Sequence, residues 1–360
     1  MRFYPIAATG LSLAVAALAV WQVVESSNDL DDVPRYSPPA SPIDNVVEIS
    51  IETGTSPQDI GQELEDTGVI ASATQFNILV SLLGYGGILQ AGEYEFQPAS
   101  PVLSVVYRIR RGETSTRSVT VREGWRLEEV ADAIAEQGIS RDGFIAEARA
   151  RNFAFSAARP DGYEFLQDAA RNASLEGYLY PATYAIRKAD TPRSVIEKML
   201  QAFGNNLTPD IQPAADAAGL SLYEVVTLAS IIEREAVVPE ERPIIAQVFL
   251  SRLRQGIPLE ADPTVQYAIA EDPDGVEEYG YWKQELTRAD LEYDSPYNTY
   301  ANEGLPPGPI CNPRLDSISA VVHPADTNYL YFVAKGDGSH AFAATLAEHL
   351  ENVEKYRPDQ

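Results

Sequence analysis

Leu228-Ala-Ser-Ile-Ile-Glu-Arg-Glu-Ala236 sets two glutamates inside an otherwise apolar stretch. The punctuation around it predicts a helix. Ser221-x-x-Glu224 is a capping-box pattern, and Leu222, Val225, Val226, Ala229, Ile232 and Ala236 recur at helical spacing. At about 100° per residue, Glu233 falls near the middle of that apolar stripe and Glu235 on its edge, beside Leu228 and Ile231. A central Glu233 suits a buried partner for an arginine. An edge Glu235 can face a cleft while apolar neighbours raise its pKa, which keeps a proton available for general-acid work. Periodicity alone does not choose between them, and two ordinary ion pairs are the competing reading.

Working outward, a second helix is expected from Arg242 to Gln255, with Gly256 as its stop and Arg252 and Arg254 near its negative end. Loops rich in Pro, Gly and aromatic residues follow: Asp262-Pro-Thr-Val-Gln-Tyr267, Pro296-Tyr-Asn-Thr-Tyr300 and Gly304-Leu-Pro-Pro-Gly-Pro-Ile310. Such loops hold fixed shapes, and Tyr, Asn and Thr on them suit sugar hydroxyls as donors, acceptors and stacking rings. They suit ordinary loop bonding equally. Asn328–Val333 reads as a buried strand and Gly338–Phe342 as a turn and strand. On the N-terminal side, Val47-Glu-Ile-Ser-Ile51 alternates, helices are expected from Ser56 to Leu64 and Thr74 to Leu83, and Gly92–Phe96 is a returning strand. A strand–helix phrase recurs at Ile49–Leu64 and Val119–Ile134, which suggests duplicated small α+β modules. Two unrelated turns with shared punctuation would look the same.

The 360 residues allow two or three domains. Phe3 to Val24 carries no charge, and Ile6–Val24 is long enough, at roughly 1.5 Å per residue, to cross a hydrocarbon core of about 30 Å. Arg2 before it and Glu25, Asp29, Asp31 and Asp32 after it favour an anchor with its N-terminus inside. Ala17-Leu18-Ala19 keeps a cleaved signal peptide as the competing reading, and either places the body outside the cytoplasm. A Ser-, Pro- and Asp-rich spacer follows over 25–45. The net charge of −26 argues against nucleic acid as a partner. A single Cys311 excludes an internal disulfide framework. Three histidines without HExxH spacing, and no Walker A or GxGxxG, point to no metal and no cofactor.

Together, several stretches resemble the endolytic murein transglycosylase (YceG-like) family. They are Leu228–Ala236, Glu241-Arg242, Val248-Phe-Leu-x-Arg-Leu253, Asp262-Pro-Thr-Val265 with Tyr267, Tyr297-Asn-Thr-Tyr300, Gly304–Ile310, His323-Pro324, Tyr329–Val333 and Gly338-x-His340-x-Phe342. Upstream, Ala91-Gly-x-Tyr94-x-Phe96, Val121-x-Glu-Gly124 and Glu176-Gly-Tyr-Leu-Tyr-Pro-Ala-Thr-Tyr184 continue it. Ala182 departs from the pattern, because the family usually carries an acid there. The resemblance implies an α+β protein. A short cytoplasmic start (1–5) and a transmembrane helix (6–24) would lead through the linker (25–45) to a LysM-like module (46–117). A second α+β connecting region (118–215) and a catalytic domain (216–358) would follow.

The implied activity is cleavage of the MurNAc–GlcNAc bond inside nascent glycan strands, leaving 1,6-anhydro-MurNAc ends and terminating glycan elongation. Glycan strands would be the partner, together with peptidoglycan synthases, at the inner membrane with the catalytic body in the periplasm. The family's essential glutamate aligns with Glu235, and Asn298, Tyr297, Tyr300 and Thr264 are the expected sugar contacts. One carboxylate suffices for this lyase, because the sugar's own 6-hydroxyl attacks. A hydrolase with Asp262 as second carboxylate, or a non-catalytic glycan-binding wall protein, are the alternatives.

Overall fold

Alternation in Val47–Ile51 builds strand β1, and a computed structural model describes the chain from this strand onward: residues 46–115, 117–150, 153, 162–168 and 173–356. The expected anchor and spacer lie outside the described residues. The chain divides into two compact units, through Ser115 and from Thr116.

In the first unit, Ser56 caps helix α1 (Pro57–Asp66) by accepting from the Asp59 amide, and Ser72 caps α2 (Ala73–Leu82) in the same way. The chain then returns as β2 (Gly92–Phe96), antiparallel to β1 with Ile49 opposite Tyr94. Helix α3 (Val102–Arg111) closes the unit and ends on Gly112 in the left-handed region. Ile49, Leu64, Phe76, Tyr94, Phe96, Val105 and Ile109 are among the buried residues of its core.

The second unit starts with β3 (Arg117–Thr120), α4 (Leu127–Ala135) and α5 (Arg141–Ala150), and β4 (Thr183–Ile186) returns antiparallel to β3. The repeated phrase therefore has a structural counterpart: each copy opens with a strand and two helices and closes with an antiparallel strand. Helices α6 (Pro192–Asn206), α7 (Ile211–Ala218), α8 (Leu222–Glu235) and α9 (Arg242–Gln255) follow. Then come α10 (Asp262–Ile269), α11 (Pro273–Tyr279) and α12 (Leu315–Val322), the antiparallel hairpin β5 (Tyr331–Ala334) and β6 (His340–Ala343), and α13 (Leu346–Tyr356).

Helix α8 has the expected capping box at Ser221 and Glu224, and α9 ends on Gly256 with φ 66°. Every residue of α8 from Val225 to Ile232 is buried, because α9 and α12 pack against it. One core runs from Val119 through Val322, so the stretches 118–215 and 216–358 share an interior. Asp262-Pro-Thr-Val-Gln-Tyr267 is helix rather than the expected loop, since a proline in a first turn needs no amide donor. The C-terminal strand covers 331–334 rather than 328–333, and of its four residues only Val333 is buried. Among the described residues no single helix is long and apolar enough to cross a membrane.

Candidate active site

The Glu-Arg-Glu trio at the end of α8 sends three consecutive side chains in three directions. Glu233 points inward: its carboxylate accepts from Arg314 Nε at 2.8 Å, the Arg314 amide at 3.1 Å and Ser317 Oγ at 2.7 Å, with the side chain 3 % exposed. It is the buried arginine partner that the central position on the stripe suggests. Arg234 lies 3.8 Å over the Trp282 ring. Glu235, the last residue of the helix, is half-buried and interacts with Tyr300.

Tyr300 is bonded to Asp262 and feels the charge of Glu235. Its hydroxyl donates to Asp262 Oδ1 at 2.7 Å. Burial raises the phenol pKa, and the charge of Asp262, the bond to it and the charges of Glu235 and Glu260 raise it further. Tyr300 therefore keeps its proton across the physiological range. Asp262 is exposed and opens α10, so its carboxylate is spent on a tyrosine 38 residues away rather than on its own turn.

The loop carrying Tyr297 and Tyr300 is fastened from beneath. Asn298 is fully buried. Its amide nitrogen donates to the Leu291 and Tyr293 carbonyls, both at 2.9 Å, and its oxygen accepts from the Tyr300 amide at 2.9 Å. Thr264 is fully buried too, donating to the Ala261 carbonyl at 2.7 Å and lying 2.9 Å from Thr299 Oγ1. Neither has surface to offer a sugar, which corrects the expectation of direct contact: both hold the loop that carries the tyrosines. Tyr297 is half-buried, with its ring centroid 4.8 Å from that of Tyr267.

Just before α10, Glu260 has φ 53°, a left-handed conformation that costs free energy for a non-glycine residue. Arg252 restrains it, donating to Glu260 Oε2 at 2.8 Å and to the Pro258 and Leu259 carbonyls. Glu241 and His340, both matched by the resemblance, meet at 2.7 Å and tie the β5–β6 hairpin to the segment that follows Glu235. Gly308 lies under Tyr223, where a Cβ would stand 2.3 Å from the tyrosine oxygen. Gly177 has φ 86°, and a Cβ there would meet Pro309 at 2.7 Å. Ala182, the departure from the pattern, packs partly buried against the core.

Glu176 opens one of the stretches that match the family, but the sequence assigned it no role of its own. It is buried, its Oε2 accepts from the Leu127 amide at 2.9 Å, and Asn312 reaches its Oε1 at 3.3 Å. Burial, then the charge of Glu128, pushes its pKa up to about 8, against the opposing bond from Leu127 and the charge of Arg126. Glu176 lines a cavity of about 840 Å³ with Arg126, Tyr267 and Tyr297; Glu235 and Tyr300 do not line it. Among the described residues no group of His, Cys, Asp and Glu is arranged to hold a metal ion.

A half-buried carboxyl at a helix end, a tyrosine that keeps its proton and an exposed aspartate bonded to it bring together the kinds of group that general acid–base chemistry uses. The model of the YceG-like family matches residues 49–355, and the chain belongs to that family. It is 35 % identical over 316 residues to the endolytic murein transglycosylase of Bacillus subtilis, covering 86 % of this chain and 84 % of that protein. It is 30 % identical over 327 residues to the protein of the same name from Streptococcus pneumoniae serotype 2, of which it spans 58 %. The crystal structure of the YceG-like protein lmo1499 of Listeria monocytogenes is similar at a TM-score of 0.56 and 33 % identity, covering 85 % of this chain and 98 % of that one.

Proposed function

We propose that this chain is an endolytic murein transglycosylase, a lyase that cuts between MurNAc and GlcNAc within glycan strands and leaves 1,6-anhydro-MurNAc ends. The observation that carries the reading is the convergence of Glu235, Tyr300 and Asp262 at the end of α8, in a chain 35 % identical to a protein of that name. Glu235, protonated, donates to the glycosidic oxygen as the bond to C1 breaks. The carboxylate left behind takes the 6-hydroxyl proton as that oxygen closes on C1, so the residue ends the cycle protonated again. Atoms balance without a water molecule.

Tyr300 and Tyr297 present hydroxyl and ring to the sugars, while Asn298 and Thr264 fix the loop beneath them. Tyr300, bound to Asp262 and close enough to Glu235 to feel its charge, holds a fixed polar neighbour beside the acid. Residues 1–5 would lie in the cytoplasm, 6–24 would form a single inner-membrane anchor and 25–45 a spacer. The βααβ arrangement of 46–117 would serve as a LysM-like glycan-holding module, and 118–215 would connect it to the catalytic part over 216–358. The body would act in the periplasm, beside the synthases that make the strands.

Glu235→Gln keeps the shape and removes the transferable proton, so turnover should fall by about 10² or more in a folded protein. Asp262→Asn retains an acceptor for the Tyr300 hydroxyl, and it should keep more activity than Glu235→Gln with anhydro ends on every product. Equal loss in both variants would instead support the two-carboxylate hydrolase.

A further inference from the structure

The cavity beside Glu176 takes no part in the proton transfers at Glu235, and its walls have an unusual charge for this protein. The chain as a whole carries −26, yet Arg126, Arg141 and Arg149 line this one space. Three carboxyl groups face them. Glu128 bridges Arg126 at 2.8 Å and Arg149 at 2.9 Å. Burial pushes both Glu176 and Glu271 upward, toward the neutral form. Arg141 is held by Asp132 at 2.5 Å. Asp142 also lies 3.8 Å from Arg141, so the space holds both signs of charge side by side, where the chain as a whole is strongly negative.

Arg126 supplies a second, independent observation. It is 2 % exposed, its guanidinium sits 4.2 Å over Tyr267 and 5.7 Å from Tyr281, and its Nη1 has no acceptor among the described residues. A buried charged donor without an acceptor is costly, and an oxygen from outside the chain would satisfy it. Arg149 stands at the other extreme, with 62 % of its side chain exposed and able to meet a ligand on entry.

The cavity also shares its framework with the proposed catalytic residues. Asp262, at the start of α10, bonds Tyr300, and Tyr267, five residues along the same helix, lines the cavity. That separation is a rise of about 7.5 Å. Tyr297 and Tyr300 belong to one loop. The same helix and loop thus carry residues of both places, and a strand held at Glu235 would reach the cavity along them.

We propose that this cavity is a subsite for a carboxylate carried by the muramyl residues of the glycan, with Arg126 as its inner donor and Arg149 at its entrance. The inference rests on the proposed murein substrate. Either the free lactyl group or the stem peptide attached to it could supply the carboxylate.

The test is calorimetric titration of the full chain with three ligands: GlcNAc–MurNAc bearing a tetrapeptide, the same disaccharide without the peptide, and chitobiose. None contains the scissile linkage, so binding is measured apart from cleavage, and a failed anhydro-product assay would count against the proposed function alone. At least one muramyl ligand should bind about tenfold or more tightly than chitobiose, the size expected for a hydrogen bond to a charged group. The tighter of the two identifies the source. Arg149→Gln, at an exposed position, should remove most of that preference, and Arg126→Gln the rest where it folds. Equal binding of chitobiose, or a preference unchanged in folded Arg149→Gln, would overturn the proposal.

Discussion

Glu233 and Glu235 are two residues apart, and their surroundings separate their roles. Glu233 accepts three bonds from Arg314 and Ser317 inside the protein. Glu233→Gln should therefore lower stability by about 1–3 kcal/mol, read from a denaturant midpoint, while the anhydro product persists. Glu176 makes a different prediction. Its folded pKa of about 8 lies above its ordinary 4.5, so between those values the folded chain binds the extra proton. Stability from this group is complete below 4.5 and is lost as pH rises through 8, at about 1.4 kcal/mol per unit in between. Glu176→Gln should flatten that part of the stability–pH curve, measured by thermal melts from pH 4.5 to 8.5. An unchanged slope would place its origin elsewhere, with Glu128, Glu129 and Arg126 as the neighbouring charges.

At the scale of elements, the parts legible in the sequence are those whose contacts are local. The capping box at Ser221, the glycine stop at Gly256 and the alternation in Val47–Ile51 each report on neighbours within a turn or a strand, and α8, α9 and β1 follow them. Helix α10 was hidden because Asp262-Pro263 reads as turn chemistry, although a helix start accepts it equally well. Glu176 was hidden because its burial depends on Leu127, 49 residues away, and Asn312, 136 residues away. The polar character of Asn298 and Thr264 was visible, but not that folding turns them inward. Asn298→Ala would strip partners from two carbonyls and the Tyr300 amide, costing about 3 kcal/mol or more and displacing Tyr300. A variant that kept its stability and lost only glycan affinity would restore Asn298 as a sugar contact.

For the whole molecule, charge and family agree on the kind of partner. A chain with net charge −26 is ill suited to a polyanion such as nucleic acid, whereas a glycan whose backbone sugars are uncharged, with carboxylates only on its muramyl substituents, reduces that conflict. The central claim is that the 6-hydroxyl of the substrate, not water, completes the reaction that Glu235 begins. Mass spectrometry of glycan strands digested with the protein tests it most directly. The account predicts internal cuts that leave 1,6-anhydromuramyl ends, absent with Glu235→Gln; reducing muramyl ends from the wild-type protein would contradict it.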